Sequence, residues 1–260
     1  MDGDIKESYP GQEPTPTVAI EKLFGKSFEA PRLDNNSLIP VGGGSIFTNE
    51  MDISVVGDFE NLQEVLQEMH DNTGIYNLPE LKKWLDSQGI GLDEKLFAYL
   101  FSFTKILEKR YPSSLEVQPA RQQAYSKAKN GEVKLSELFA NNTVACAEIA
   151  ALAQYYLQQE GVESRYFSGA VLWDKQLEFA EEHSFIVIPQ GEHQLLFDPM
   201  NPTNTTQGLF PSIYTTSANF DQEVRRRQKR FVPATNVLSK KQAYYGVNNG
   251  TKVSEMNVVA

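Results

Sequence analysis

Residues 144–173 read VACAEIAALAQYYLQQEGVESRYFSGAVLW, and residues 183–199 read HSFIVIPQGEHQLLFDP. The first half of this stretch has a helical pattern. Ile149, Leu152, Ala153, Tyr156 and Leu157 recur at three- and four-residue steps, which makes one continuous apolar stripe. Asn142 or Thr143 can serve as N-cap, and Gly161 stands just past Glu160, where a left-handed residue ends a helix. Cys146 therefore falls in the first turn. Unpaired backbone N–H groups and the positive end of the helix dipole favour a thiolate there.

Three β-rich segments follow. Glu163–Leu172, His183–Ile188 and Gln194–Asp198 read as strands, with a turn at Pro189-Gln-Gly-Glu192 between the last two. In an antiparallel hairpin, directly opposed residues have a constant index sum and share one face. A turn centred between Gln190 and Gly191 sets Pro189 opposite Glu192, and by the same sum His183 opposite Asp198. A histidine beside a carboxylate has the arrangement of a base and its orienter. His193 is the competing base, but the same register puts it beside the turn and exposes it.

Composition narrows the classes. The 260 residues are enough for one substantial core or two small ones. A net charge of −10 argues against nucleic acid or an anionic membrane as the main partner. No apolar run approaches the roughly 20 residues of a transmembrane helix. The acidic, polar opening MDGDIKESYPGQEPTPT is not a Sec-type signal. The expectation is a cytoplasmic protein, or one exported or injected without a cleavable signal. A single cysteine excludes an internal disulfide framework and a multi-cysteine zinc site, and no metal or cofactor is expected. A lone cysteine is more often a small buried hydrophobe than a nucleophile, so the case for Cys146 rests on its position.

Upstream, helices dominate. Asp58 can cap Phe59–Asp71, Leu78–Gln88 opens with Pro79 and stops at Gly89, and Leu92–Arg110 carries Leu96, Leu100, Phe103 and Leu107 on one face. Gln118–Lys129 reads as a polar surface helix and Val133–Phe139 as a short one. His70 lies near a helix C-terminus and has no catalytic part. The Gly42-Gly43-Gly44 run lacks the Gly-Lys-Ser/Thr ending of a phosphate loop and reads as a turn. The division is a disordered tail over residues 1–17, an N-terminal extension and helical lobe over 18–135, a catalytic core over 136–246 and a loose tail over 247–260. Within the core, Leu209-Phe210 and Ile213-Tyr214 can complete the sheet. Residues 223–230, EVRRRQKR, form a basic run that reads as a solvated helix face; the alternative is a docking patch for an acidic partner or a lipid headgroup.

Cys146-Ala-Glu148, Gly161-Val-x-Ser-Arg165-Tyr-Phe-Ser-Gly169, His183-Ser-Phe and Leu196-Phe-Asp198-Pro199 together resemble the transglutaminase-like core of the papain-like cysteine protease and acyltransferase superfamily. The likeness covers less than a quarter of the chain. It departs from the family at Val144, where a glycine is common, and at Phe185, where a tryptophan is common. What it implies is an α+β fold, with a helical lobe followed by a catalytic helix packed on an antiparallel β-sheet. It further implies Cys146 as nucleophile, His183 as general base and acid, and Asp198 as the orienting third member. The oxyanion hole would use the Cys146 N–H and a second donor, for which Asn141, Asn142 and Trp173 are the candidates. Glu148 and Arg165 match core positions and read as structural.

The implied chemistry is acyl transfer on a protein or peptide amide through a Cys146 thioester. Glutamine deamidation or transglutamination leads; a cysteine protease and a non-catalytic protein-binding module are the alternatives. An enzyme of this kind suits a bacterial effector or a self-contained cytoplasmic enzyme.

Overall fold

The computed structural model describes residues 21–23, 27–39, 54–111, 123–128, 131–173, 181–191, 193–216, 219–220, 222–223, 230–246 and 257–258. Its centre is a β-barrel of six strands: β5 (Arg165–Leu172), β6 (Glu181–Gln190), β7 (His193–Thr205), β8 (Gly208–Thr216), β9 (Arg230–Asn236) and β10 (Gln242–Gly246). Going round, β5 pairs with β10, then come β9, β8, β7 and β6, and β6 pairs back onto β5. Every one of these ladders is antiparallel. The sheet is therefore closed, and that corrects the expected architecture of a helical lobe followed by a helix on an antiparallel sheet. The cause lies in residues after Asn219. There β9 and β10, joined over a short turn, insert between β8 and β5 and satisfy both remaining edges.

Closure, with the helices outside, explains why β5 from Tyr166 to Leu172 and β6 from His183 to Ile188 are buried continuously rather than on alternate residues. One side chain in two points into the barrel and the next faces outward. Phe167, Phe185, Leu196, Tyr214, Val232 and Tyr245 belong to one buried cluster that fills the interior. Their neighbours Tyr166, Ile186, Ile188, Phe197 and Ile213 belong to a second cluster shared with the helices. That second cluster is where the upstream helices go. The helices α1 (Gln63–Thr73), α2 (Leu78–Ser87), α3 (Glu94–Arg110), α4 (Leu135–Ala140) and α5 (Cys146–Gln159) pack their stripes on the barrel's outer face in one core. Leu96, Leu100, Phe103 and Leu107 of α3 are all buried, as their spacing predicts.

Two glycines hold positions that disfavour a side chain, each for its own reason. Gly161 takes φ +73° after α5, as the sequence predicts for that helix end. Gly169 lies in β5 opposite His183, between the part of the strand paired with β2 (Ser27–Ala30) and the part paired with β10. A Cβ there would stand 2.3 Å from the carbonyl oxygen of Gly246.

Other boundaries differ from the sequence reading. Phe59–Leu62 is a 3-10 turn, and α1 starts only at Gln63. Asp58 makes no cap there. Its buried carboxylate accepts the N–H of Ser136 at 2.9 Å, so it caps α4 instead. Val133 is not helical. It lies in β4 (Glu132–Lys134), paired parallel with β3 (Ser54–Val56), and α4 begins two residues later. Leu209, Phe210, Ile213 and Tyr214 do fall in a strand of the sheet, β8. Of the expected helix over Gln118–Lys129, only 123–126 are described as helical. The Gly42–Gly44 run, the tail over 1–17 and most of the basic run over 223–230 lie outside the described residues. No helix among the described residues is long and apolar enough to cross a membrane.

Candidate active site

Helix α5 begins at Cys146, and Ile149 makes its first intrahelical bond, to the carbonyl of Ala145 at 3.0 Å. The N–H groups of Cys146, Ala147 and Glu148 thus have no carbonyl four residues back to bond within the helix. Neither Asn142 nor Thr143 caps it. The N-cap residue is Ala145, and the stabilising contact comes from inside the helix: Glu148 Oε2 accepts the Ala145 N–H at 2.9 Å. Glu148 is fully buried and also accepts the Tyr125 hydroxyl at 3.2 Å. Arg165, at the start of β5, donates to Glu29 of β2. Glu148 thus fixes the first turn of the cysteine's helix, and Arg165 ties β5 to β2.

His183 is near the start of β6, on the side of the strand that carries Phe185 and Val187, and so points into the mouth of the barrel. Asp198 shares the same interior face of β7 with Leu196. Their approach is close: His183 Nε2 and Asp198 Oδ2 are 2.9 Å apart, and both side chains are buried. The observed ladder runs from Gln190 opposite His193 to Ile186 opposite Phe197. It is displaced by two residues from the sequence-derived register. An even displacement keeps both side chains on one face, and the bulge between Asp198 and Thr203 turns the chain so that the carboxylate meets the ring. Because Nε2 is engaged by Asp198, Nδ1 is left for a second partner. The Cys146 side chain lies near enough to the same imidazole to raise its proton affinity. The thiol, the imidazole and the carboxylate are thus gathered at one place, with the His183–Asp198 contact at its centre.

Burial disfavours a charged His183, but the Asp198 carboxylate and the Cys146 sulfur outweigh it, and the imidazole is pushed up to about 10. The ring is an imidazolium at neutral pH, with Nε2–H donating to Asp198. Asp198 is fully buried and held on several sides. Its Oδ1 accepts the N–H groups of Met200 and Asn201, each at 3.2 Å. Its Oδ2 accepts the Asn201 side-chain amide at 3.2 Å and the Tyr245 hydroxyl at 3.2 Å. Tyr245 is on β10, which is not a ladder neighbour of β7, so this bond crosses the barrel interior. Burial, with the charge on Asp198, pushes the Tyr245 hydroxyl well up and keeps it a donor.

Trp173 sets its ring edge-on to His183 at 5.9 Å and to Tyr245 at 6.2 Å, while its Nε1 donates to Glu181 at 3.0 Å. Asn141 is exposed, and its amide donates to the Glu137 carbonyl at 2.7 Å. Asn142 takes φ +52° at the surface, four residues before the cysteine. The candidate N–H groups of Asn141 and Trp173 are thus committed elsewhere. His193 is exposed at the turn end of the β6–β7 hairpin, as expected, and His70 forms an ion pair with Glu160 at 2.7 Å. No group of three or more His, Cys, Asp or Glu side chains among the described residues is arranged to hold a metal ion.

Asn201 and Tyr245 are the site residues that the sequence reading missed. Asn201 had a local signal, since Asp-Pro-Met-Asn is a turn in which side chains bond nearby backbone. Tyr245 had none, being 47 residues from its partner.

Comparison of the chain with protein-family models, with curated proteins and with solved structures finds no match in any of the three. The likeness to a transglutaminase-like core therefore rests on the quoted motifs alone.

Proposed function

We propose that the protein is a cysteine-dependent acyltransferase or amidohydrolase acting on protein amides, with a glutamine side chain as the amide and Cys146 as the nucleophile. The observation that carries the reading is the buried His183, 2.9 Å from Asp198 and near enough to the Cys146 side chain for the sulfur to act on the ring. The glutamine side chain as substrate rests on the sequence resemblance, and the thiol chemistry on the geometry.

In the first half-reaction the Cys146 thiolate attacks the amide carbonyl carbon, and the carbonyl π electrons move to oxygen. The Cys146 N–H at the positive end of α5 would stabilise that oxyanion. The imidazolium gives its proton to the departing nitrogen, the C–N bond breaks, and ammonia leaves a thioester on Cys146. In the second half, neutral His183 takes a proton from water or a primary amine, which attacks the thioester and releases the thiolate. Water yields glutamate; an amine yields a cross-link. Asp198 fixes the ring and stabilises its charged form in both halves.

The test is incubation with a fluorescent primary amine and a glutamine-rich protein, followed by mass spectrometry. Ammonia loss or amine gain that depends on Cys146 supports the proposal. New chain termini would replace it with proteolysis. No change with wild type relative to Cys146→Ala would leave the binding module as the better reading.

A further inference from the structure

Between Asp198 and Thr203 the β7–β8 ladder breaks register: Asp198 is opposite Ser212, and Thr203 is opposite Phe210. Pro199, Met200, Asn201 and Pro202 therefore bulge on β7 where β8 has Pro211 alone. Proline has no N–H, so the bulge offers only those of Met200 and Asn201, and both donate to Asp198 Oδ1 at 3.2 Å. The bulge is a cradle for the carboxylate, and its shape depends on how its two ends are held. One end is the Asp198–Ser212 pair of the ladder. The other is Thr203, whose Oγ1 lies 2.7 Å from Ser212 Oγ and accepts the Asn236 side-chain amide at 2.9 Å. Asn236 is fixed in turn, because its Oδ1 accepts the N–H groups of Leu238 at 3.0 Å and Ser239 at 2.9 Å just after β9. All three side chains are buried. Ser212 shares a face of β8 with Tyr214, which is opposite Asn236, so this clasp lies on the interior side of the barrel with Asp198.

Resting on the catalytic reading above, we propose that Thr203 is a positioning residue for the acyl transfer: its hydroxyl, clasped by Ser212 and Asn236, fixes the far end of the bulge and so holds the Asp198 carboxylate against His183. Without that hydroxyl, the Asn236 amide and the Ser212 hydroxyl each lose a partner in a buried place, and the backbone must move to relieve them. The bulge is the piece that moves, since the residues on either side of it are held by ladder bonds. Its movement takes the Met200 and Asn201 N–H groups away from Oδ1. The carboxylate then turns from the ring, and the imidazolium that sustains the thiolate loses its counter-charge. Asn236 belongs to the strand pair that closes the barrel, so closure supports the triad here at a point separate from Tyr245.

The experiment uses the full chain and iodoacetamide, and reads the Cys146 alkylation rate at pH 6 divided by the rate at pH 9 on the same variant. The rate at pH 9 absorbs changes in access to the sulfur, so the ratio reports how well the imidazolium sustains a thiolate. Thr203→Val keeps the β-branched shape and removes the hydroxyl; it is expected to lower the ratio by about 3-fold or more. Thr203→Ser keeps a hydroxyl in place and is expected to hold the wild-type ratio. Ser102→Ala removes a buried hydroxyl that joins α3 to the Met69 carbonyl of α1, and should cost stability without moving the ratio. Should Thr203→Val not fold, Ser212→Ala removes the other hydroxyl of the clasp and has the same expectation. An unchanged ratio in the folded variant, with wild type at pH 6 still faster than a free thiol, would overturn the positioning role and leave the catalytic reading standing. A ratio lowered as much by Thr203→Ser or by Ser102→Ala would overturn it as well. Wild type no faster than a free thiol at pH 6 would overturn the catalytic reading and the positioning role with it.

Discussion

His183 Nε2 lies 2.9 Å from Asp198 Oδ2, although the two are not opposite each other in the β6–β7 ladder. Continuing the ladder places His183 level with Met200, so the carboxylate approaches diagonally, two residues nearer the turn. This contact needs the bulge after Asp198, together with the Asn201 amide and the Tyr245 hydroxyl that hold the carboxylate in place. It follows that the site depends on the closed barrel, because Tyr245 reaches Asp198 only from across the interior.

Replacing the acid tests that dependence. Asp198→Asn keeps the shape but removes the charge that stabilises the imidazolium. On the proposed mechanism, turnover should fall by about 10³–10⁴-fold, as loss of the orienting carboxylate does in other triads. The fold should persist, as read by circular dichroism and a cooperative melt.

Removing the cross-barrel hydroxyl is milder. Tyr245→Phe deletes one of the buried donors to Asp198 and leaves Asn201 in place. A stability loss of about 1–3 kcal/mol is expected from urea unfolding, with a smaller fall in turnover than for Asp198→Asn.

Stability should also depend on pH in a defined window. His183 is pushed up to about 10 in the folded chain, against an ordinary value of 6.5. Between these values the folded chain binds a proton that the unfolded chain releases. The stabilisation is complete below pH 6.5 and is lost as pH rises towards about 10. Melting temperatures measured from pH 6 to 10 should fall across that window, and the fall should be shallower in His183→Gln.

Gly169 provides a test of closure. An added Cβ would meet the Gly246 carbonyl oxygen at 2.3 Å, where β5 changes partner to β10. Gly169→Ala should cost about 2–3 kcal/mol by overpacking and strand displacement, read as a lowered denaturation midpoint.

Much of the site could be read in the sequence because its signals are local. Gly161 ends α5 where expected, Cys146 opens it, and the two-residue period of β6 and β7 puts His183 and Asp198 on one face even though the register is shifted by two. The closed barrel could not be read. Whether the sheet closes depends on β10, some 70 residues away, taking the edge of β5 beyond β2, and the pattern within β5 reports burial without naming the partner. For the same reason Asp58 looked like a cap for the helix it precedes, whereas it caps α4, 78 residues on. The helical stripes were correctly apolar, but periodicity cannot say whether they pack on each other or on a barrel.

The central claim is that His183 and Asp198 activate the Cys146 thiol, and its most direct measurement is the iodoacetamide alkylation rate of Cys146 at pH 6. In wild type the rate should exceed that of a free thiol, and in His183→Ala it should fall to the free-thiol value. Wild-type alkylation no faster than a free thiol, or a rate that His183→Ala leaves unchanged, would contradict the account.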